Sequence, residues 1–115
     1  MTDADCLFCK IATGDIPANI VASDDQFVAF RDINPQAPTH VLVVPRRHLP
    51  SLNEAADEPA LMGAMLAFAR EIARREGLAD RGYRVVLNTN AEAGQTVFHI
   101  HAHVLGGRAM LWPPG

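Results

Sequence analysis

Surplus positive charge is missing from this sequence. Ten Lys+Arg, only one of them a lysine, stand against thirteen Asp+Glu, a formal net charge of −3. A chain balanced in this way does not hold nucleic acid by bulk electrostatics, and no nucleic-acid partner is expected. Long apolar runs are missing too. Stretches such as residues 41–45 fall far short of the roughly 20 residues that a membrane-spanning helix needs, so no membrane role is expected. The opening Met1-Thr2-Asp3-Ala4-Asp5 is acidic and lacks the apolar segment of a secretory leader, which makes a cytoplasmic protein the expectation. Cysteine is scarce: Cys6 and Cys9 lie too close together to staple a whole domain. Internal repeats and low-complexity tracts do not occur, so residues 1–115 read as a single domain.

What is present describes an ordinary globular chain. At 115 residues, 49% hydrophobic and 20% charged, it is long enough to bury about two thirds of its unfolded surface. Residues 6–12 suit a short helix ended by Gly14, with Pro17 barring its continuation. Residues 20–22 and 27–30 read as strands joined by a turn at Asp24-Asp25, and Pro35 and Pro38 make residues 33–38 a loop. The β-branched run at residues 41–44 predicts a buried strand. One long helix is marked by Leu61, Met65, Phe68, Ala69 and Ile72 at helical spacing, with Asp57 as the expected N-cap and Gly77 closing it. Its basic end, with Arg70, Arg74 and Arg75, is expected to be a solvated terminus complementing the helix dipole. Two further strands are expected at residues 83–87 and 97–105, joined by the polar loop 88–96. The whole predicts an α+β fold around an antiparallel sheet.

Three of the five histidines fall within five residues. Residues 97–105 alternate with period two, which in a strand puts His99, His101 and His103 in a row on one face. Phe98, Ile100, Ala102 and Val104 are then expected to face the core. Such a row suits metal binding, because neutral imidazole is a good zinc ligand. It suits phosphate chemistry equally, because neutral imidazole is a nucleophile and its N–H can donate to phosphate oxygens. A polar sheet face of structurally bonded histidines is the plainest alternative.

The pattern His99-Ile100-His101-Ala102-His103-Val104-Leu105 resembles the signature of the histidine triad (HIT) nucleotide-binding family. The resemblance extends to Ile16-Pro17-Ala18, to residues 32–40, to Pro45-Arg46-Arg47-His48, to Gly94-Gln95 and to the closing Trp112-Pro113-Pro114-Gly115. The tail and the Pro35 to His40 loop are similar to the Hint branch, the adenosine phosphoramidase-like members, and a third histidine argues against the uridylyltransferase branch. The resemblance implies a HIT fold: a five-stranded antiparallel sheet with one long helix and a short N-terminal helix, paired into a homodimer whose tail reaches the partner's site. Trp112, an aromatic ring near the end of the chain, is an independent hint of such docking. It also implies hydrolysis of a purine nucleotide, AMP-like, with His101 as the nucleophile that forms a nucleotidyl-histidine and His103 beside the phosphate. Asn88 and Thr96 fall on phosphate-donor positions, Gln95 on the matching loop, and Asp32 on the ribose carboxylate. Thr96 replaces a more usual serine and keeps its hydroxyl. Leu7, Phe8 and Ile33 correspond to the walls around the base, although core packing explains them equally well. His40 reads as a structural histidine. Leu111 stands where animal relatives often carry histidine, a departure near the leaving-group side.

The spacing of Cys6 and Cys9 is open to three readings: a redox dithiol, two buried thiols, or half of a zinc site. Only five residues precede the pair, which argues against the strand-then-helix setting of a redox dithiol. In bacterial-type HIT members that resemble this pattern, the site is completed by positions that fall here on His48 and His99. The resemblance therefore implies a closed, structural Zn2+ and no organic cofactor. Two functions compete with the hydrolase: a purine nucleotide-binding module without turnover, and a hydrolase with an open zinc on His99 and His101.

Overall fold

The computed structural model describes residues 4–115. The N-terminal helix α1 spans Leu7–Thr13, capped by Cys6, whose Sγ accepts from the Cys9 N–H at 3.4 Å, and closed by Gly14 in the left-handed conformation. The strands β1 (Ile20–Ser23) and β2 (Phe27–Arg31) pair antiparallel. Their turn is built by Asp24, whose Oδ1 accepts from the N–H groups of Gln26 and Phe27, both at 2.8 Å. Strand β3 (Thr39–Pro45) follows, then the long helix α2 (Pro59–Arg75), strand β4 (Tyr83–Val86) and strand β5 (Ala102–Gly106). Together they make a five-stranded antiparallel sheet in the order β1-β2-β3-β5-β4.

Alternation sorts the central strands onto two cores. Phe27, Ala29, Val41, Val43, Ala102 and Val104 pack beneath Met65, Ala69 and Ile72 of α2. Val28, Phe30, Leu42 and Val44 face the other way, toward Phe8 of α1. Strands covered on both faces have no polar positions to spare, which is why residues 41–44 form an unbroken apolar run. No helix among the described residues is long and apolar enough to cross a membrane.

Three expectations need correction. The last strand begins at Ala102, not Val97, because its partners run out: β3 pairs Val43 with Ala102 and β4 stops with Val86 opposite His103. Ahead of that point the chain leaves the ladder, and the Ile100 N–H donates to Leu49 O at 2.7 Å instead. Phe98, lying in this unladdered segment, is 48% exposed and not part of the core. Finally, the N-cap of α2 is Glu58, not Asp57, because Pro59 occupies the first helical position and holds its predecessor out of the helix. The Glu58 carboxylate makes no cap bond and pairs with Arg47.

Candidate functional site

The segment leading into β5 carries His99 and His101, and His103 lies on β5 itself. Ahead of β5 the segment is pinned by the Ile100 N–H bond to Leu49 O rather than by a sheet ladder, so the side chains of His99 and His101 are fixed by their own contacts. Buried among the N-terminal helix and the sheet, His101 is only 8% exposed. Its Nδ1 lies 2.7 Å from His99 O. A carbonyl only accepts, so Nδ1 carries the proton and Nε2 is left with a bare lone pair. The ring is held edge-on against Phe8, with centroids 5.0 Å apart. Burial lowers the His101 pKa below its ordinary value, while the His99 carbonyl and the Asp32 carboxylate pull it back up.

His40 belongs to this arrangement, although its sequence position beside a strand start reads as merely structural. Its Nδ1 accepts from the Gln36 N–H at 3.0 Å, so in the neutral ring the proton sits on Nε2. That Nε2 lies 2.9 Å from His103 Nδ1 and 3.5 Å from Asp32 Oδ2. His103 Nδ1 is therefore an acceptor, and the proton of His103 is fixed on Nε2. A backbone amide thus sets the tautomer of two rings in sequence. Burial, followed by the neighbouring His101 and His40, pushes His103 down to about 4, so it is a neutral donor at ordinary pH. Asp32, His40 and His103 are close enough to suggest a metal site, but a metal on His40 Nε2 would move its proton onto Nδ1, against the Gln36 N–H. The Gln36 N–H, His40 and His103 form a hydrogen-bond relay, with the Asp32 carboxylate beside it.

A cavity of ≈ 690 Å³ opens beside these groups. Leu7, Phe8, Asp32, Ile33, Thr96, His101 and His103 line it, together with Ile11, Ile16, Phe30 and Leu42. Phe8 is both wall and core, since it is buried against Phe30 and the histidines, whereas Ile33 is fully exposed at the rim. Asp32 is held by its own loop, its Oδ1 accepting from the Asn34 N–H at 2.8 Å. Two expected residues do not line the cavity: Asn88, half-buried after β4, and Gln95, whose buried side chain is bonded to backbone.

On the far side of His99 lies a second cluster. His99 Nε2 donates to Pro45 O at 2.7 Å, which leaves Nδ1 bare. That nitrogen lies 3.3 Å from Cys6 Sγ, 3.5 Å from Cys9 Sγ and 3.2 Å from His48 Nδ1, and Cys9 Sγ is 3.5 Å from His48 Nδ1. A tetrahedron built on the usual zinc–nitrogen and zinc–sulfur bond lengths has N···N edges of about 3.3 Å and N···S edges of about 3.6 Å. All four donor atoms lie within 4.8 Å of one another, so the group can hold a metal ion. The Pro45 carbonyl acts as the outer partner that orients a ligating histidine. Burial pushes His99 down to about 4, which keeps it neutral and available as a ligand. Four protein donors close the coordination shell. His101 is not among them, so the open zinc on His99 and His101 does not fit.

Comparison with known proteins agrees with this geometry. The profile of the HIT domain matches residues 13–110. The purine nucleoside phosphoramidase of Escherichia coli (strain K12) is 48% identical over 105 residues, covering 90% of this chain and 88% of that protein. The crystal structure of a HIT family hydrolase from Legionella pneumophila Philadelphia 1 superposes with a TM-score of 0.94 at 52% identity, covering 96% of this chain and 100% of that one. A Zn-bound histidine triad family protein from Mycobacterium smegmatis superposes with a TM-score of 0.81 at 39% identity, over 90% of this chain and 76% of that one.

Proposed function

The chain belongs to the HIT domain family, and from that premise we propose that it is a nucleotide hydrolase that cleaves purine nucleoside phosphoramidates at the α-phosphorus through a nucleotidyl-histidine at His101. The observation that carries the reading is the Nδ1–H of His101 tied to His99 O, which leaves Nε2 bare on the wall of a nucleotide-sized cavity. The name of the E. coli relative supports the substrate class.

His101 Nε2 forms a bond to phosphorus as the P–N bond to the leaving group breaks. The departing nitrogen takes a proton from solvent through the open cavity and leaves as an amine. The phosphorylated ring, still protonated on Nδ1, is cationic, and its charge is stabilised by His99 O and by the nearby Asp32 carboxylate. Water then attacks phosphorus and gives up a proton to solvent through the open cavity, the P–Nε2 bond breaks, and the monophosphate leaves with His101 neutral again. Splitting one displacement into two lowers each barrier. His103 Nε2–H, fixed by the His40 relay, donates to a phosphoryl oxygen throughout, and the Thr96 hydroxyl adds a second donor. Asp32 Oδ2 accepts from the ribose hydroxyls, while Leu7, Phe8 and Ile33 enclose the base.

The four-donor cluster suits Zn2+, held by Cys6, Cys9, His48 and His99. Such an ion would cross-link α1, the loop after β3 and the histidine segment, and with four protein ligands it would leave substrate chemistry to His101.

Hydrolysis of adenosine 5′-phosphoramidate, followed as AMP release, tests the proposal; no release would overturn it. The pH profile adds detail. Nucleophilic His101 must be neutral, and burial lowers its pKa, so activity survives acidification past the ordinary histidine value. The acid limb of kcat/KM, which reports the free enzyme, is expected to have its midpoint below about 6.5. A midpoint at or above that value would contradict the assignment of His101.

A homodimer is proposed as the working unit. Trp112 is 83% exposed and Leu111 nearly as open, while β4 is an unpaired sheet edge. Sedimentation equilibrium is expected to give twice the 12.5 kDa chain mass. A monomer at micromolar concentration would rule it out.

A further inference from the structure

Gln95 makes an unusual commitment for a polar side chain beside a binding cavity. It is buried to 6% exposure, and its amide spends its hydrogen bonds on backbone. Nε2 donates to Pro50 O at 2.8 Å and to Val97 O at 3.1 Å, and Oε1 accepts from the Asn90 N–H at 2.9 Å. The Gln95 N–H in turn donates to Asn90 O at 3.1 Å, closing the loop 90–95 into a ring.

Asn90 has φ 66° and ψ −174°, and it is the one non-glycine residue with positive φ among those described. Such a conformation costs free energy and persists only where neighbours over-determine it. Here Gln95 supplies both of the bonds that fix Asn90. The residues that follow, Thr96 and Val97, line the same cavity as His101 and His103. At the other end, Pro50 stands two residues beyond His48, so the same amide ties this loop to the segment that carries a cluster ligand.

We propose that Gln95 is a positioning residue: it holds the strained 90–97 loop in the shape that presents Thr96 and the adjoining backbone to the nucleotide's phosphate, without touching the nucleotide itself. This rests on the nucleotide reading given above. Both Nε2 hydrogens are already used, so the amide has no donor left for a phosphate oxygen. Its effect on the phosphate must therefore travel through the backbone it anchors. A loop held in this way gives a preorganised donor array, whereas a loose one must be ordered each time a ligand binds.

The test compares wild type with Gln95→Met, which keeps the volume and removes every bond, and Gln95→Glu, which keeps the acceptor for Asn90 and loses both donors. Binding of AMP and of adenosine is measured by calorimetry, and amide hydrogen exchange of residues 90–97 is measured without ligand. Both variants are expected to weaken AMP about tenfold, to leave adenosine within about twofold, and to accelerate exchange in the loop about tenfold. Equal weakening of AMP and adenosine would mean a general structural role, and unchanged exchange would mean direct contact; either overturns the inference. Should Gln95→Met not fold, Gln95→Glu carries the comparison. If wild type itself binds no AMP, the nucleotide reading fails, and the exchange measurement still decides whether Gln95 holds the loop.

Discussion

Replacing His101 by alanine is expected to lower kcat/KM for adenosine 5′-phosphoramidate by about 10⁴-fold or more, the scale seen when a covalent nucleophile is removed. The reason is local. Of the two cavity-lining imidazoles, His103 has Nδ1 occupied by His40 and its proton fixed on Nε2, so it has no lone pair to offer phosphorus. His101 alone on that wall presents a bare nitrogen. The substitution removes a ring packed against Phe8, so some loss of stability accompanies it, but AMP binding should survive within about tenfold because Asp32, Thr96 and His103 remain. A variant that retained more than about 1% of wild-type turnover would place the nucleophile elsewhere. Retained AMP binding with lost turnover separates the enzyme from a pure binding module, for which wild type and variant would be equally inactive.

A metal held by the four-donor cluster is expected to act on stability before chemistry. Four ligands drawn from α1, the loop after β3 and the histidine segment join pieces of chain that lie far apart in sequence. An ion bound a thousandfold above its dissociation constant stabilises the fold by about 4 kcal/mol. For a chain of this size that corresponds to a Tm lower by about 15 °C after chelation. Cys9→Ser should give a similar drop and become insensitive to the chelator. Both cores remain in the stripped protein, so its far-ultraviolet circular dichroism should stay close to that of the loaded form at 20 °C. A chelated sample whose Tm stayed within about 2 °C of the loaded one would mean that the cluster holds no structural metal. Metal content measured by mass spectrometry identifies the ion directly.

How much of this was legible in the sequence depended on how local each signal was. The histidine row was readable because period two fixes which residues share a face, and that logic holds even though the strand itself begins only at Ala102. The two-faced burial of β2 and β3 followed from their unbroken apolar composition. The spacing of Cys6 and Cys9 left half of a metal site as one of three readings, because the histidines that join them lie 39 and 90 residues away from Cys9, a distance no local pattern spans; only resemblance pointed to His48 and His99. His40 is hydrogen-bonded, as its reading as a structural histidine implies, but its partners lie beyond any local pattern. Its role depends on the β3–β5 register, in which Leu42 faces His103 and His40 faces Leu105, so that His40 and His103 meet as diagonal neighbours. Gln95 was read as part of the nucleotide-binding loop, but which groups its amide bonds could be seen only once Pro50 had been brought to it. Side-chain type and spacing expose chemistry on one strand or helix face. Tautomers, relays and anchoring bonds are set by the meeting of distant segments.

In the proposed mechanism catalysis passes through a covalent bond between His101 and the nucleotide. Mass spectrometry of a rapidly quenched reaction, with peptide mapping under non-acidic conditions, tests it most directly. A nucleoside monophosphoryl adduct is expected on the peptide carrying His101, appearing and decaying at rates consistent with turnover and absent from His101→Ala. Full turnover with no adduct at any time, or an adduct on another residue, would contradict it.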